Sequence, residues 1–332
     1  MEDTAFSAFV VDKSATGFMA EVRELHLADL PAGEVLVRVA YSGMNYKDGL
    51  ACTPNGQIVR NYPFVPGIDL AGTVVESSDA TYQAGDEVIV TSYGLGVSHF
   101  GGFSAFARVP ASWVVPLPAG LTLREAMTFG TAGFTAALAV QQLERNGATP
   151  GQGSILVTGA TGGVGSVAIM LLAKRGYTVA ASTGKASAHD YLRGLGASEI
   201  LSRADVAVES TKPLEKERWA GAIDAVGGTT LATTLRTTRY GGSVAACGLT
   251  GGGTVGTSVY PFILRGVNLL GIDSAQCPMP VRRALWARLA SDLKPANLDA
   301  IITREAHLVD LPEIAAAILQ GNIQGRVLVL PQ

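Results

Sequence analysis

The first 125 residues carry short runs in which apolar and polar positions alternate, separated by turns that contain Gly or Pro. Alternation with a period of two residues is typical of strands that bury one face. The pattern predicts strands over residues 6–11, 34–40, 71–76, 86–90, 105–110 and 113–116. Many short strands joined in this way predict a small, partly closed β-barrel.

From residue 122 the apolar positions change to helical spacing, over 123–129 and again over 133–146, where Gly147 is a typical residue to end a helix. Buried apolar runs then alternate with helical segments as far as residue 273. The runs cover 155–157, 177–181, 199–201, 222–225, 243–247 and 267–272. This alternation predicts a doubly wound parallel sheet, so the fold class is α/β.

The last 58 residues or so are too few for a domain of their own, and they predict two helices and two strands. The helices are expected over 281–293 and 311–320, and the strands over 301–303 and 327–330. We expect this segment to return to the barrel. The predicted domains are therefore 1–125 together with 275–332, and 126–274, with a cleft between the two lobes.

The segment 154–165, SILVTGATGGVG, places a Gly-rich turn between a predicted buried strand and a predicted helix. This is the arrangement that holds a pyrophosphate at a helix N-terminus. Gly162 would let the backbone approach the phosphates, and Gly165 would let the helix pack close to the strand. A Gly-rich turn that binds no ligand is the alternative, but the correct flanking elements favour a dinucleotide.

The end of the second strand of this sheet indicates which dinucleotide is bound. An NAD site usually carries Asp or Glu about 20 residues beyond the glycines, where it bonds the ribose 2′-hydroxyl. Here the chain has Ser182, Thr183, Gly184 and Lys185, and Arg203 follows the third strand. Hydroxyls and cations suit a 2′-phosphate, so we predict NADPH. The alternative is that Lys185 only solvates the start of a helix.

Composition and charge narrow the classes of function. The chain has 332 residues, of which 48% are hydrophobic and 16% are charged, with a net charge of −3. These values are typical of a compact globular protein and indicate no nucleic-acid partner. No apolar run reaches the length of a membrane span, and the acidic N-terminus lacks a signal-peptide pattern, so we expect a cytoplasmic protein.

The cysteines and histidines lack the spacing of metal ligands or of a disulfide framework. The three cysteines and the four histidines are scattered, and no CxxC occurs. We therefore expect neither a structural metal site nor disulfides. The residues concerned are Cys52, Cys247, Cys277, His26, His99, His189 and His307.

Several separated motifs resemble those of the medium-chain dehydrogenase/reductase superfamily over the whole chain. The general motifs are 45–48 (NYKD), 65–72 (VPGIDLAG) and 130–136 (GTAGFTA), ahead of the Gly-rich turn. The chain is further similar to the acryloyl-CoA reductase branch of the quinone oxidoreductase group through 46–48, 245–249 (AACGL), 261–266 (PFILRG), 271–274 (GIDS) and 323–326 (IQGR). The resemblance implies a GroES-like catalytic domain, a Rossmann domain, NADPH and a homodimer.

The chain departs from the zinc alcohol dehydrogenases of the superfamily at one informative place. Where those enzymes carry Gly-His-Glu, this sequence has Gly67, Ile68 and Asp69. Isoleucine cannot ligate zinc, and the four-cysteine lobe of that group is absent, so we expect no catalytic metal. Reduction of an already polarised alkene does not need a Lewis acid, whereas oxidation of an unactivated alcohol is hard without one.

The resemblance implies hydride transfer from NADPH to the β-carbon of an α,β-unsaturated thioester, followed by protonation at the α-carbon. Tyr46 is the candidate proton donor and a cofactor contact, although it could instead only pack on the nicotinamide. Asp48, the second candidate catalytic residue, could orient Lys47 or Tyr46, or could cap a helix. Asp69 is a candidate structural residue.

The resemblance also implies the cofactor contacts. Pyrophosphate contacts are expected from Thr161, Gly162, Gly163 and Val164, and 2′-phosphate contacts from Thr183, Gly184, Lys185 and Arg203. The nicotinamide half is assigned to Leu249, Ile263, Ser274 and Asn322, each of which could instead be plain core or loop. Arg60, Lys47 and Arg265 are candidates for the CoA phosphates.

Three functions are compatible with these features. The first is an NADPH-dependent acryloyl-CoA reductase that forms propionyl-CoA. The second is an NADPH-dependent reductase of free quinones or alkenals, which needs the same cofactor site but no basic track for CoA phosphates. The third is a dinucleotide-binding protein without turnover. The presence of the NYKD stretch at 45–48 argues against this third function.

Overall fold

The computed structural model describes residues 4–15 and 17–332. In chain order the strands of this part, β1 to β15, are Ala5–Ser14, Gly17–His26, Val35–Gly43, Asp69–Ser77, Glu87–Thr91, Phe106–Val109, Val115–Pro116, Ile155–Val157, Val179–Thr183, Glu199–Ser202, Trp219–Asp224, Thr238–Ala246, Asn268–Gly271, Ile302–His307 and Arg326–Leu330. The α-helices, α1 to α8, are Tyr46–Ala51, Leu123–Arg145, Gly163–Lys174, His189–Leu195, Gly228–Thr237, Tyr260–Arg265, Met279–Leu289 and Leu311–Leu319.

The chain forms two compact units. The first takes the chain up to Thr131 together with Ala275–Ser291 and Leu298–Gln332, and the second takes Ala132–Ser274 and Asp292–Asn297. In the first unit a seven-stranded sheet runs in the order β14-β15-β3-β4-β5-β7, with β6 also paired to β3, and β1 and β2 form a separate antiparallel pair.

Strand β3 shows why the first unit folds as it does. Val35, Val37 and Val39 pack into one apolar cluster, and Leu36 on the opposite face packs into another. Successive side chains of a strand point to opposite faces, so a strand between two apolar clusters buries every position except one or two. Arg38 is the exposed residue of this run.

The second unit is built on a six-stranded parallel sheet in the order β10-β9-β8-β11-β12-β13. Its central strand β8 pairs with two neighbours, since Leu156 lies opposite Ala180 on β9 and Ala222 on β11. Parallel strands covered on both faces are apolar throughout, as the sequence 155–157 is. The strand order reverses between β8 and β11, and crevices at the carboxyl ends of such strands are where ligands bind.

Helix α2 is interrupted at Gly130, whose φ of 51° and ψ of −158° are not helical. This break lies between the two predicted helical segments 123–129 and 133–146. Only glycine adopts this backbone conformation readily. The break also frees the backbone N–H of Thr131 for a bond outside the helix.

Two parts of the sequence prediction were incomplete. Strand β2 was not predicted, because five of its ten residues are exposed, the other five are only half-buried, and no face with a period of two is fully buried. The helix predicted over 281–293 ends at Leu289. Among the described residues, the structure contains no helix that is both long and apolar enough to span a bilayer.

Candidate active site

The Gly-rich turn lies at the carboxyl end of β8 and leads directly into α3. Gly159 has a φ of 59°, Gly162 is the residue that precedes the helix, and Gly163 begins it. A Cβ on Gly165 would lie 2.5 Å from the carbonyl oxygen of Gly159, so the helix can approach the turn only with glycine there. The first backbone N–H groups of a helix have no partner within it, which suits a pyrophosphate.

A Cβ on Gly162 would meet only the Gly159 carbonyl oxygen, at 3.4 Å, so no protein atom fills the space above this residue. Thr161 is buried, and Val164 is half-buried in the first turn of α3. The predicted residues 161–164 therefore lie together at the end of the helix, with open space beside Gly162. This geometry fits a dinucleotide phosphate.

The structure brings the predicted 2′-phosphate residues together at the neighbouring strand ends. Thr183 ends β9 and lies opposite Ser202, which ends β10 and is followed by Arg203. The guanidinium of Arg203 lies beside Gly184, where an added Cβ would be 3.2 Å from its Nη2. Lys185 follows, and its backbone N–H bonds Thr183 Oγ1 at 3.0 Å. Partial burial lowers the pKa of the Lys185 amine.

The corner at the ends of β9 and β10 therefore carries two cations, those of Lys185 and Arg203, and two hydroxyls, those of Thr183 and Ser202. The first acidic residue after β9, Asp190, is exposed and pairs with Arg193 on the next helix turn. The stretch 184–189 directly after β9 thus holds no carboxylate for a ribose 2′-hydroxyl, while the Asp205 carboxylate accepts bonds from the N–H and hydroxyl of Ser202 at the end of β10. The corner fits a phosphorylated ribose better than an unphosphorylated one.

The predicted nicotinamide residues of the second unit differ in their surroundings. Leu249, just beyond β12, is 66% exposed and Ile263 on α6 is 67% exposed. Ser274 Oγ accepts a hydrogen bond of 2.7 Å from Thr135 Oγ1. Apolar side chains so exposed are available to cover a ligand or another protein surface.

Arg265, one of the three candidates for the CoA phosphates, is bonded to other residues of the second unit. Its guanidinium donates to the carbonyl oxygens of Arg236 and Glu215 and pairs with Glu217 at 3.3 Å. Its side chain is only 15% exposed. These bonds hold the segment before β11 against the sheet. Lys47 and Arg60, in contrast, are exposed.

In the first unit, Tyr46 is the first residue of α1 and its side chain is 40% exposed. The residue before it, Asn45, is the N-cap, and its backbone N–H donates to Asp48 Oδ2 at 2.9 Å. Asp48 Oδ1 accepts the N–H of Ile68 at 2.9 Å. The fully buried Asp48 carboxylate thus fixes the start of the helix that carries Tyr46, which is the capping alternative of the sequence analysis.

Burial and the nearby carboxylate of Asp69 together raise the pKa of Asp48 to about 7, while its bonds from Ile68 and Asn45 oppose the shift. The carboxyl therefore titrates near neutral pH. No hydrogen bond joins Asp48 to Lys47, which is exposed.

Asp69 lies at the centre of the same network, fully buried. Its carboxylate accepts the Thr131 N–H at 3.0 Å and Asn45 Nδ2 at 2.8 Å, and it lies 3.6 Å from Arg326 Nη2. Arg326 also donates to Asn45 Oδ1 at 3.0 Å and to Thr128 O at 3.1 Å. Burial lowers the pKa of Arg326, and Asp69 opposes that shift.

Sequence reasoning did not assign a role to Arg326 or Thr131. A charged residue at the start of the apolar run RVLVL is the signal that could have indicated a buried arginine. Asn322 is exposed, and its Nδ2 donates to Gln320 Oε1 at 3.1 Å. It follows α8, which packs on α1 so closely that a Cβ on Gly49 would lie 2.6 Å from Ile318 Cγ2.

The residues at 67–69 do not fit a catalytic zinc. Ile68 has no donor atom, and the Asp69 oxygens are bonded to Thr131, Asn45 and Arg326. In residues 4–15 and 17–332, no three His, Cys, Asp or Glu side chains are grouped as metal ligands would be. A guanidinium beside Asp69 occupies the place where a cation would be attracted.

Two family models match the chain. The model of the alcohol dehydrogenase GroES-like domain matches residues 31–119, and the model described as zinc-binding dehydrogenase matches residues 163–291. The chain belongs to the medium-chain dehydrogenase/reductase superfamily. The predicted family and the predicted combination of a GroES-like domain with a Rossmann sheet are confirmed, and the chain is an oxidoreductase.

Two curated relatives cover nearly the full chain. A putative quinone oxidoreductase, YhfP of Bacillus subtilis, is 57% identical over 98% of this chain and 99% of its own. The acrylyl-CoA reductase AcuI of Ruegeria pomeroyi is 54% identical over 98% of both chains. These similarities place the chain in the predicted acryloyl-CoA reductase branch.

Two solved structures have the same fold over nearly the whole chain. The Bacillus subtilis yhfP protein with NAD bound has a TM-score of 0.96 and 57% identity, and covers 99% of this chain and 100% of its own. The yhdH oxidoreductase of Salmonella enterica in complex with NADP has a TM-score of 0.95 and 50% identity, and covers 98% of this chain and 99% of its own. Relatives of this fold thus bind either dinucleotide.

Proposed function

We propose that this protein is an NADPH-dependent reductase that converts acryloyl-CoA to propionyl-CoA without zinc. The observation that carries the proposal is the 54% identity with an acrylyl-CoA reductase over 98% of both chains. The match extends over nearly the whole chain and is not confined to one of the two domains. The substrate class is accordingly an α,β-unsaturated CoA thioester.

The choice of NADPH rests on Arg203, Lys185 and Thr183 at the ends of β9 and β10. Two cations at this corner provide charge-assisted bonds to a 2′-phosphate, which NADH lacks. A relative with 50% identity binds NADP, in line with this choice. The relative that was solved with NAD makes the comparison of the two cofactors an essential measurement.

The bound NADPH would supply a hydride to the β-carbon of the thioester. Residues 161–164 hold its pyrophosphate, and Leu249, Ile263, Ser274 and Asn322 are proposed to contact its nicotinamide half. Negative charge then develops on the thioester oxygen. Tyr46 donates the proton that the α-carbon needs, since a phenol held close to an enolate can act as an acid.

Asp48 contributes to the proton transfer by holding Tyr46 in position. It bonds the N-cap residue Asn45 and thereby fixes the first turn of α1, where Tyr46 begins. Lys47 and Arg60 remain the exposed cations of this unit that are proposed to meet the CoA phosphates. The alkene of an unsaturated thioester is already polarised, so these roles need no Lewis acid.

Reduction of free quinones or alkenals is the second candidate function, because the Bacillus subtilis relative is named a putative quinone oxidoreductase. The test is the loss of NADPH absorbance with acryloyl-CoA, crotonyl-CoA, acrolein and a benzoquinone, each repeated with NADH. Turnover fastest with acryloyl-CoA and NADPH is expected. Faster turnover of acrolein or the quinone, without inhibition by CoA, would support the second function, and binding without turnover would leave a non-catalytic dinucleotide-binding protein.

We further infer a homodimer and a cytoplasmic location. The dimer is favoured by the free edge of β13, where Leu269 is 45% exposed, and by Leu264 on α6, which is 56% exposed. An identical strand can pair with such an edge across a twofold axis. The location follows from a charged cofactor and a charged thioester, neither of which crosses a membrane unaided, and cell fractionation tests it.

A further inference from the structure

Thr158 and Asp224 face each other at the point where the strand order of the parallel sheet reverses. Val157, the last residue of β8, lies opposite Ile223 on β11, so Thr158 just beyond β8 is level with Asp224, the last residue of β11. Both side chains are buried, Thr158 with 1% and Asp224 with 0% exposure. Thr158 lies within the Gly-rich segment 154–165, but the sequence analysis assigned no role to either side chain.

A short hydrogen bond joins the two side chains. Thr158 Oγ1 donates to Asp224 Oδ1 at 2.6 Å and accepts the N–H of Ala225 at 3.2 Å. Asp224 Oδ2 accepts the N–H of Gly227 at 2.7 Å. One oxygen of the Asp224 carboxylate therefore bonds Thr158, just before the Gly-rich turn, and the other bonds the loop after β11.

The loop after β11 is in turn bonded to the loop after β12. The carbonyl oxygen of Asp224 accepts the N–H of Cys247 at 2.9 Å, and that of Val226 accepts the N–H of Gly251 at 2.7 Å. A Cβ on Gly248 would lie 2.2 Å from the carbonyl oxygen of Ala225. These backbones approach so closely that a shift of one loop must move the other.

Thr158 and the loop after β11 also contact the Gly-rich turn 159–163, which we call the phosphate turn because it is proposed to hold the pyrophosphate. Thr158 directly precedes Gly159, and a Cβ on Gly159 would lie 3.4 Å from the Val226 side chain. Three segments meet at this carboxylate: the phosphate turn, the loop 225–228, and the loop 247–252 that carries Leu249. Burial raises the pKa of Asp224, and the bonds from Thr158 and Gly227 oppose the rise.

We propose that Thr158 and Asp224 are positioning residues that lock the phosphate turn to the loops after β11 and β12 and so set the affinity for the pyrophosphate and nicotinamide half of NADPH. The proposal rests on the proposed cofactor. It predicts that the adenosine 2′-phosphate half, held at the ends of β9 and β10, binds independently of this lock.

The experiment measures two dissociation constants for each variant, that of NADPH by its fluorescence and that of adenosine 2′-monophosphate (2′-AMP), which lacks the pyrophosphate, by calorimetry. In Asp224→Asn the new amide NH₂ can only donate, and it faces the N–H or O–H donors that the carboxylate accepted from, so the Kd for NADPH rises about tenfold while that for 2′-AMP changes less than about twofold. Thr158→Val has the same pattern. Thr158→Ser, which keeps the hydroxyl, binds both ligands like the wild type.

The matched control is Thr234→Val, which removes a hydroxyl of a buried threonine that bonds only its own helix, at Thr230 O. It leaves the NADPH affinity unchanged. The double variant Thr158→Val/Asp224→Asn weakens NADPH binding by less than the product of the two single effects, because both changes break the Thr158–Asp224 hydrogen bond. Equal losses for NADPH and 2′-AMP, or unchanged NADPH affinity in Asp224→Asn, would overturn the proposal.

Amide hydrogen exchange of the ligand-free protein tests whether the Thr158–Asp224 contact restrains the turn and the loop when no cofactor is bound. Asp224→Asn should speed exchange over both 159–162 and 225–228, and Thr234→Val should not. Faster exchange over 225–228 alone would show that the turn is not locked to the loop. Wild-type protein that binds neither NADPH nor 2′-AMP would overturn the proposed function, whereas the exchange result would still decide whether the lock exists.

Discussion

The carboxyl of Asp48 titrates near neutral pH in the folded chain because it is buried beside a second carboxylate. The pKa of Asp48 rises from 3.8 to about 7, so between these values the unfolded chain has lost a proton that the folded chain retains. The contribution of this group to the free energy of unfolding is therefore full below about pH 4 and is lost as the pH rises through about 7. Asp69, Arg326 and Cys52 are the ionisable groups that affect it or lie in the same network.

We expect Asp48→Asn to reduce the dependence of stability on pH. Urea unfolding of the wild type should show a free energy of unfolding that falls as the pH rises from about 4 to about 7, and the variant should show a smaller fall. The exposed Asp190 provides the control, since Asp190→Asn should leave the pH dependence unchanged. Equal slopes in the wild type and Asp48→Asn would contradict the assignment.

Tyr46→Phe tests the proton donor. Removing a general acid commonly lowers kcat by about 100-fold or more, while the ring, which keeps its apolar contacts, should hold the Kd for NADPH within about twofold. Stopped-flow turnover and a binding titration measure the two effects separately. If kcat is unchanged and only NADPH affinity falls, Tyr46 contacts the cofactor and the proton comes from elsewhere.

Arg203→Gln tests the cofactor preference. Because the Arg203 guanidinium lies beside Gly184, its loss should raise the Kd for NADPH about tenfold and that for NADH less than about twofold. Lys185→Glu should act in the same direction. Arg193→Gln is the control, since this exposed arginine pairs with Asp190 on α4. Equal losses for both cofactors would remove Arg203 from the 2′-phosphate site.

At the level of elements, helix α2 depends on a glycine in a conformation that other residues rarely adopt. A Cβ on Gly130 would lie 2.5 Å from both Arg326 Nη2 and Asp69 Oδ2. We expect Gly130→Ala to lower the free energy of unfolding by about 3 kcal/mol or more, from backbone strain together with the clash. Urea unfolding measures the loss.

Gly147→Ala separates the two causes. Gly147 also has a positive φ, of 88°, but nothing lies within 4 Å of its added Cβ. Its substitution should therefore cost only the backbone term, about 1 kcal/mol. If both variants lose the same stability, the contacts of Asp69 and Arg326 do not constrain Gly130.

The elements that the sequence predicts well are those whose pattern is set by local burial. The central strand β8 of the parallel sheet is apolar throughout, and β3 packs both of its faces, so their apolar residues mark them. Strand β2 was missed because none of its residues is fully buried. The Gly-rich turn and Lys185 after β9 could be located from the sequence because each is recognised from the residues next to it in the chain.

The buried network around Asp69 could not be predicted in the same way. Arg326 bonds Asn45 and Thr128, which are 281 and 198 residues away in the chain. The Thr158–Asp224 bond spans 66 residues. Partners at such separations leave no periodic signal, and only the fold brings them together.

At the level of the whole molecule, the proposed homodimer depends on strand β13 at the free edge of the parallel sheet. An edge strand with an exposed leucine invites pairing with a second copy, and a lysine on such an edge discourages it. We expect the wild type to be a dimer by size-exclusion chromatography with light scattering, and Leu269→Lys to be a monomer that still binds NADPH. Val309→Lys, a change of the same kind at a side chain that is 73% exposed and lies off the sheets, should remain dimeric. A monomeric wild type would contradict the dimer, and a dimeric Leu269→Lys would place the interface away from β13.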